Sequence, residues 1–227
     1  MQSLLTAFQS RVYLRPWDKN MKSIHNIILA ASLTALGLAS CSETSQKSEF
    51  ADWKERNEAF VDSLASAAVP GLTAQNASEG QLFRILSYTL DPTVTDWENT
   101  KYVYCRIVKK GAGTESPTFA DSVRINYRAR LIPSDSYPEG YVVDQSYKTP
   151  KLDPTINVPK AFVMSNLVKG MATALQNMNE GDIWKIYVPF ELAYGSAKSG
   201  EIPAYSTVVF DLNMTEFAVA GKPLSRL

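Results

Sequence analysis

Few side chains in this sequence could do covalent, metal or acid–base chemistry near neutral pH. The only histidine, His25, lies in a stretch that reads as a removable leader. Its loss removes His-based triads, His-containing zinc sites and the commonest general base in one step. The two cysteines stand apart: Cys41 closes the leader and Cys105 falls in a strand-like run, so they form no disulfide framework. Cys105 reads as a small buried hydrophobe. The sequence has no Gly-rich phosphate loop, no nucleophile elbow and no metal-ligand cluster, and no cofactor or metal is expected. What recurs is an aromatic and aliphatic set at turns and on strand faces, which offers apolar surface and hydroxyls rather than a nucleophile.

The elements that must position such a set are bounded first by length and composition. A chain of 227 residues has room for one large domain, or one domain with an extension, since compact domains usually run to roughly 100–200 residues. Hydrophobic residues at 45% and charged residues at 20% exclude general disorder and a polytopic membrane protein. Basic and acidic residues balance at 23 each. No lysine and arginine block interleaves with aromatics, so no nucleic-acid partner is expected.

From Met21 the chain reads as a secretory signal: Lys22, an apolar run through Ile27, Ile28, Leu29, Leu33, Leu36 and Leu38, then small residues. Its ending, Leu38-Ala39-Ser40-Cys41, resembles the bacterial lipobox, which implies lipidation at Cys41. A transmembrane anchor is the competing reading, but the run falls short of the about 20 residues needed to span a bilayer. Residues 1–20 do not suit a signal, and Met21 reads as the start. Without residues 1–41 the chain carries 19 basic against 22 acidic residues, a net −3. Ser42 after the cysteine resembles lipoproteins sorted to an outer membrane, so the expected location is the cell envelope, on that membrane and facing the periplasm.

Residues 42–47 read as a polar tether. Ser48 is placed to cap a helix with Glu49 and Asp52 in its first turns. Phe50, Trp53, Phe60 and Leu64 then recur near a 3.6 period, and Pro70-Gly71 ends the helix. Its apolar stripe must be buried, either on its own domain or in a homodimer seam. Residues 81–88 and 101–108 read as strands. Val123, Ile125, Tyr127, Ala129 and Leu131 alternate with Arg124, Asn126, Arg128 and Arg130, the period of a strand with one buried face, its basic alternates facing solvent. Residues 167–178 follow as a helix, with strands at 183–188 and 207–217. The fold class is α+β: an antiparallel sheet curled over one short helix, preceded by an amphipathic helical extension. The division is leader 1–41, tether and extension 42–100, main domain 101–220 and tail 221–227.

From about residue 108 to residue 217 the chain resembles the FKBP-type peptidyl-prolyl cis/trans isomerases. The resemblance rests on ordered blocks: Asp121-Ser122-Val123-Arg124-Ile125-Asn126-Tyr127, Val142-Val143-Asp144-Gln145-Ser146, the stretch from Phe162 to Gly170, and Met178-Asn179-Glu180-Gly181-Asp182. The most specific are Leu192-Ala193-Tyr194-Gly195 and Ile202-Pro203. It implies a pocket lined by Tyr127, Asp144, Phe162, Leu167, Val168, Tyr194, Ile202 and Phe210, with Val143 and Met171 at positions where the family usually has an aromatic residue and a tryptophan. In that pocket Phe210, Phe162, Val168 and Ile202 would grip a proline ring, Tyr194 would offer its hydroxyl to a peptide carbonyl, and Asp144 would orient polar groups at the rim. An X-Pro amide rotates over a barrier of about 18–20 kcal/mol because its planar form carries resonance and charge separation. A water-poor pocket favours the twisted form, and no nucleophile is needed. The implied partners are proline-containing unfolded or exported polypeptides and macrolide inhibitors. Val143 and Met171 leave open a second reading, a proline-peptide-binding chaperone or envelope scaffold. An insertion at 132–141, with Pro133 and Pro138, lengthens a connection beside the pocket.

Overall fold

The computed structural model describes residues 48–225; the leader, Cys41 and the 42–47 tether lie outside the described residues. In chain order the elements are α1 (Trp53–Ala67), β1 (Leu82–Leu86), β2 (Tyr102–Lys109), β3 (Ser122–Leu131), β4 (Val142–Gln145), β5 (Lys160–Val163), α2 (Lys169–Leu175), β6 (Ile183–Val188) and β7 (Val208–Ala218). The strands form one seven-stranded sheet in the order β1-β2-β6-β7-β3-β4, with β5 pairing β3 beside β4. Every pairing is antiparallel, and the class is α+β.

Period-2 alternation builds the concave face. Val123, Ile125 and Ala129 of β3, Phe210, Leu212 and Met214 of β7, and Trp184, Ile186 and Val188 of β6 are all buried. They share one core with Met171, Ala174 and Leu175 of α2, which lies against β1, β2 and β6. Cys105 belongs to this core as a free thiol, and burial pushes its pKa up, so it packs as a small hydrophobe.

The reverse face is also covered. Alternation along β2 turns Tyr104 away from Val103 and Cys105. There it packs with Leu82 against Val61 and Leu64 of α1, flanked by Phe60, Tyr102 and Tyr187. The apolar stripe of α1 is thus buried on its own sheet. The stripe itself differs from expectation: Trp53, Asn57, Val61 and Leu64 are its buried residues, while Phe50 is 41% exposed. Ser48 is not the cap. Asp52 holds that position at φ 52 without a side-chain hydrogen bond, and Ala51 N donates to Ser48 O at 2.8 Å in a preceding turn.

The boundary expected near residue 101 is also no seam. β1 pairs with β2 from Leu82↔Arg106 to Leu86↔Tyr102. Phe83 is 0% exposed and Trp53 6%, both in the core that contains Phe210.

The basic alternates of β3 overturn the solvated-face expectation. Arg124 and Arg128 are 9% and 8% exposed, and Asn126 is 0%. Arg128 donates Nε to Gln145 Oε1 at 2.9 Å, Nη1 to Pro150 O at 2.9 Å and Nη2 to Thr149 O, and its guanidinium stacks 4.4 Å from the Tyr147 ring centroid. Arg124 pairs with Glu216 and donates to Ser225 O at 2.7 Å. Arginine's planar fork holds two carbonyls at once, which is how these charged groups tolerate burial. Arg128→Ala should therefore cost about 1.5–3 kcal/mol in urea unfolding and expose residues 146–152 to proteolysis, and Arg128→Lys should recover little of it. Unchanged stability would mean that the fork carries no load.

Candidate active site

β3 pairs with β7 along one edge and with β4 and β5 along the other. Tyr127 opposes Leu212, and Phe210 opposes Ala129, so the two rings occupy the same face of neighbouring strands one pair apart. They are 6% and 2% exposed. β4 brings Asp144 opposite Ala129. There Asp144 Oδ2 accepts from Tyr127 Oη at 2.6 Å, and Oδ1 accepts from the Gln145 backbone N–H at 2.8 Å. β5 sets Phe162 edge-on to Tyr127, with ring centroids 5.8 Å apart and planes at 68°, a favourable quadrupole arrangement.

The floor comes from α2. Met171 is 5% exposed, with Leu167 and Val168 half-buried just before the helix. Gly170 is required here: a Cβ would lie 2.2 Å from Val188 Cγ1, so only glycine lets the helix seat this closely on β6. The far wall is Ile202, 7% exposed, in an isolated bridge with Ser199. Tyr194 lies within a turn closed by Gly195 N donating to Phe190 O at 2.8 Å and remains 39% exposed.

Burial, then the hydrogen bond to Asp144, pushes the Tyr127 phenol well above its usual range. Burial, then the Asp144 charge, raises Tyr194. Both phenols are protonated at neutral pH and can act only as neutral hydroxyls. Among the described residues, no His, Cys, Asp and Glu cluster could hold a metal ion.

The residues expected from the sequence come together. Tyr127, Met171, Ile202 and Phe210 belong to one buried cluster, with Val143, Phe162, Leu167 and Val168 packed on its edge. Asp144 joins through Tyr127, and Tyr194 lies within range of the Asp144 charge. Lys160 was not anticipated. Its ammonium lies 5.4 Å from the Tyr127 ring centroid and 3.5 Å from Tyr127 Oη. Its place two residues before Phe162, hence on the same strand face, was the available signal.

Residues 113–215 match the family described as FKBP-type peptidyl-prolyl cis-trans isomerase. The chain carries an FKBP-type domain. Relatives include the FKBP-type peptidyl-prolyl cis-trans isomerase FkpA of Escherichia coli, 32% identical over 73% of this chain and 55% of its own length. The peptidyl-prolyl cis-trans isomerase Mip of Coxiella burnetii is 36% identical over 48% of this chain and 42% of its own length. The macrophage infectivity potentiator of Trypanosoma cruzi is 33% identical over 51% and 53%. The chain thus spans about half the length of the curated relatives it matches. The crystal structure of Escherichia coli FkpA has the same fold, at a TM-score of 0.51 and 22% identity, covering 91% of this chain and 75% of that one. In this chain the FKBP-type sheet extends beyond the matched span, because β1 and β2 precede it and α1 packs on them.

Proposed function

We propose that the FKBP-type domain is a peptidyl-prolyl cis/trans isomerase acting on proline-containing polypeptides in the cell envelope. The observation that carries this reading is a carboxylate-anchored tyrosine, Tyr127 on Asp144, at the edge of a buried apolar cluster containing Phe210, Ile202 and Met171. A proline ring enters the apolar part and sheds water. The flanking amide loses charge separation as it twists, and a surrounding poor in water favours that twisted state over the planar one. Phe162 and Val168 close the sides, and the Tyr194 hydroxyl meets a carbonyl of the bound chain. Met171 fills the floor as a flexible apolar chain in place of a ring. A macrolide of the kind the family binds would compete for the same surface.

The direct test is exchange NMR or a protease-coupled assay on a short X-Pro peptide, whose spontaneous step takes about 10–100 s. The rate should rise in proportion to enzyme concentration. No acceleration by the folded protein at micromolar concentration would sink the reading. The Leu38-Ala39-Ser40-Cys41 ending supports a further part of the proposal, a lipid anchor at Cys41 that holds the body at an outer membrane facing the periplasm. Mass spectrometry of the membrane fraction should find a lipid-modified Cys41 amino terminus, and an unmodified Met21 terminus in the soluble fraction would exclude it.

Activity and stability should both be flat across neutral pH. Tyr127 and Tyr194 are shifted upward, away from neutrality, and burial lifts Tyr104 to about 12. A phenol whose folded pKa exceeds the unfolded value of about 10 contributes stability that is whole below pH 10 and is lost as pH rises toward the folded value. On the acid side, burial pulls Asp121 up, but the backbone N–H groups of Thr118 and Ala220 outweigh it and hold the carboxyl below its usual range. Its contribution is lost as pH falls below about 4. Melting temperature should therefore hold from about pH 6 to 9 and drop above about pH 10. A bell-shaped rate profile centred near pH 7 would require a titrating group that this pocket lacks.

A further inference from the structure

Two side chains of α1 reach the segment that carries Ile202. Trp53 Nε1 donates to Ser206 Oγ at 2.9 Å, and the Ser206 hydroxyl donates onward to Pro203 O at 2.7 Å. One turn later, Asn57 Oδ1 accepts from the Thr207 backbone N–H at 2.7 Å, while Asn57 Nδ2 donates to Trp53 O at 2.7 Å. Trp53, Asn57, Ser206 and Thr207 are 6%, 0%, 1% and 0% exposed, so these bonds are sheltered from competing water.

The segment they hold has little regular structure of its own. Between the turn at Phe190–Leu192 and β7, its pairing among the described residues is the single bridge Ser199↔Ile202. Tyr205 sits at φ 62, a left-handed conformation that non-glycine residues seldom adopt. Its ring rests edge-on to Phe190 at 5.2 Å, with the Lys54 ammonium of α1 5.2 Å from its centroid. The turn before α1 also reaches the 132–141 insertion: Arg56 Nη1 donates to Glu49 O at 2.9 Å, and Glu49 Oε2 accepts from Ser136 Oγ at 2.5 Å. That insertion reaches back through Tyr141 Oη to Glu201 Oε2 at 3.2 Å.

We infer that α1 is a positioning device for the proline site: Trp53 and Asn57 fix residues 203–207 and thereby set where Ile202 stands in the buried cluster that holds Phe210. This deepens, and rests on, the isomerase reading. A phenylalanine at position 53 would fill much of the same core space, but only an indole N–H supplies the donor to Ser206. A pocket wall must be held to about 0.5 Å to act on a transition state. A bridge of two residues cannot do that alone, whereas a 15-residue helix packed along its length can.

The test uses the full chain and three single variants. Trp53→Phe and Ser206→Ala break the same bond from its two ends. Each should lower kcat/KM for an X-Pro peptide about three- to tenfold, and the double variant should fall no further than the worse single one. Ile107→Val, on β2 and outside both α1 and residues 203–207, trims a core side chain that is 1% exposed; it should lower the melting temperature and leave kcat/KM unchanged. Amide hydrogen exchange gives a readout independent of turnover: the Ile202 and Thr207 amides should exchange faster in both bond-breaking variants, with β3 unchanged. Folded Trp53→Phe and Ser206→Ala proteins with unaltered kcat/KM would overturn the inference, as would Ile107→Val losing turnover in parallel. If the unmodified chain turns over no X-Pro peptide, the isomerase reading fails, and exchange alone then decides the role of α1. Protection at Ile202 that does not change would overturn that role too.

Discussion

A chain shortened to begin at residue 101 is expected to lose cooperative folding, although it keeps the whole family-matched span of 113–215. The cut removes Trp53, Val61, Leu64, Leu82 and Phe83, which are 6%, 2%, 9%, 5% and 0% exposed. Each such side chain contributes about 1.5–3 kcal/mol by burial, while a domain's whole margin is about 5–15 kcal/mol. The loss is not confined to the added layer. Phe83 packs edge-on to Trp184, centroids 5.5 Å apart, in the middle of the main core. Removing β1 also turns β2 into an unpaired edge carrying Val103 and Cys105, the kind of edge that aggregates. Near-UV circular dichroism and urea titration should show a broad, molten transition or an insoluble product. A sharp sigmoidal transition would mean that the matched span stands alone and that α1 and β1 are removable.

Phe210→Ala should destabilise the chain by about 3–5 kcal/mol. Phe210 is 2% exposed on a strand flanked by β6 and β3, opposite Ile186 and Ala129. Hydrogen-bonded neighbours on both sides leave the backbone little freedom to close over the missing ring, so most of the cavity should persist. The same ring is the proposed wall of the proline site, and kcat/KM should fall about a hundredfold where the variant is still folded. Urea denaturation must fix the temperature for that assay first. Full activity in a folded Phe210→Ala protein would place the chemistry elsewhere.

How much of this was legible in the sequence differs from element to element. β3, β6 and β7 are readable because one face of each lies in the shared core, which imposes strict alternation on Val123, Ile125 and Tyr127 and on Val208, Phe210 and Leu212. The other face of β3 is not. Arginine there reads as solvated, and what buries Arg124 and Arg128 is a set of carbonyls up to 101 residues away in the chain. The start of α1 lies later than Ser48 suggests because Ser48 and Asp52 both have the chemistry of a cap, and Asp52 takes the position without a side-chain hydrogen bond. The domain edge was drawn too late because the family blocks begin after β2, and nothing in residues 81–88 shows that they pair inside the same sheet. The candidate site residues are legible only through a resemblance. Taken singly, Phe210, Ile202 and Met171 read as ordinary core, and only their joint placement beside Asp144 sets them apart.

Gly170 and Met171 divide the design of the pocket floor between adjacent positions. The close seat of Gly170 on Val188 sets the height of the floor, and the side chain at 171 sets its chemistry. Depth is therefore locked while lining is free to drift. A lineage of such proteins can exchange the thioether for an indole, an aliphatic or a smaller group without lifting the helix. Mutation at 170 has no comparable latitude. Even a single methyl there moves the whole floor, so selectivity in this site is expected to evolve by replacing the tile and never the joist.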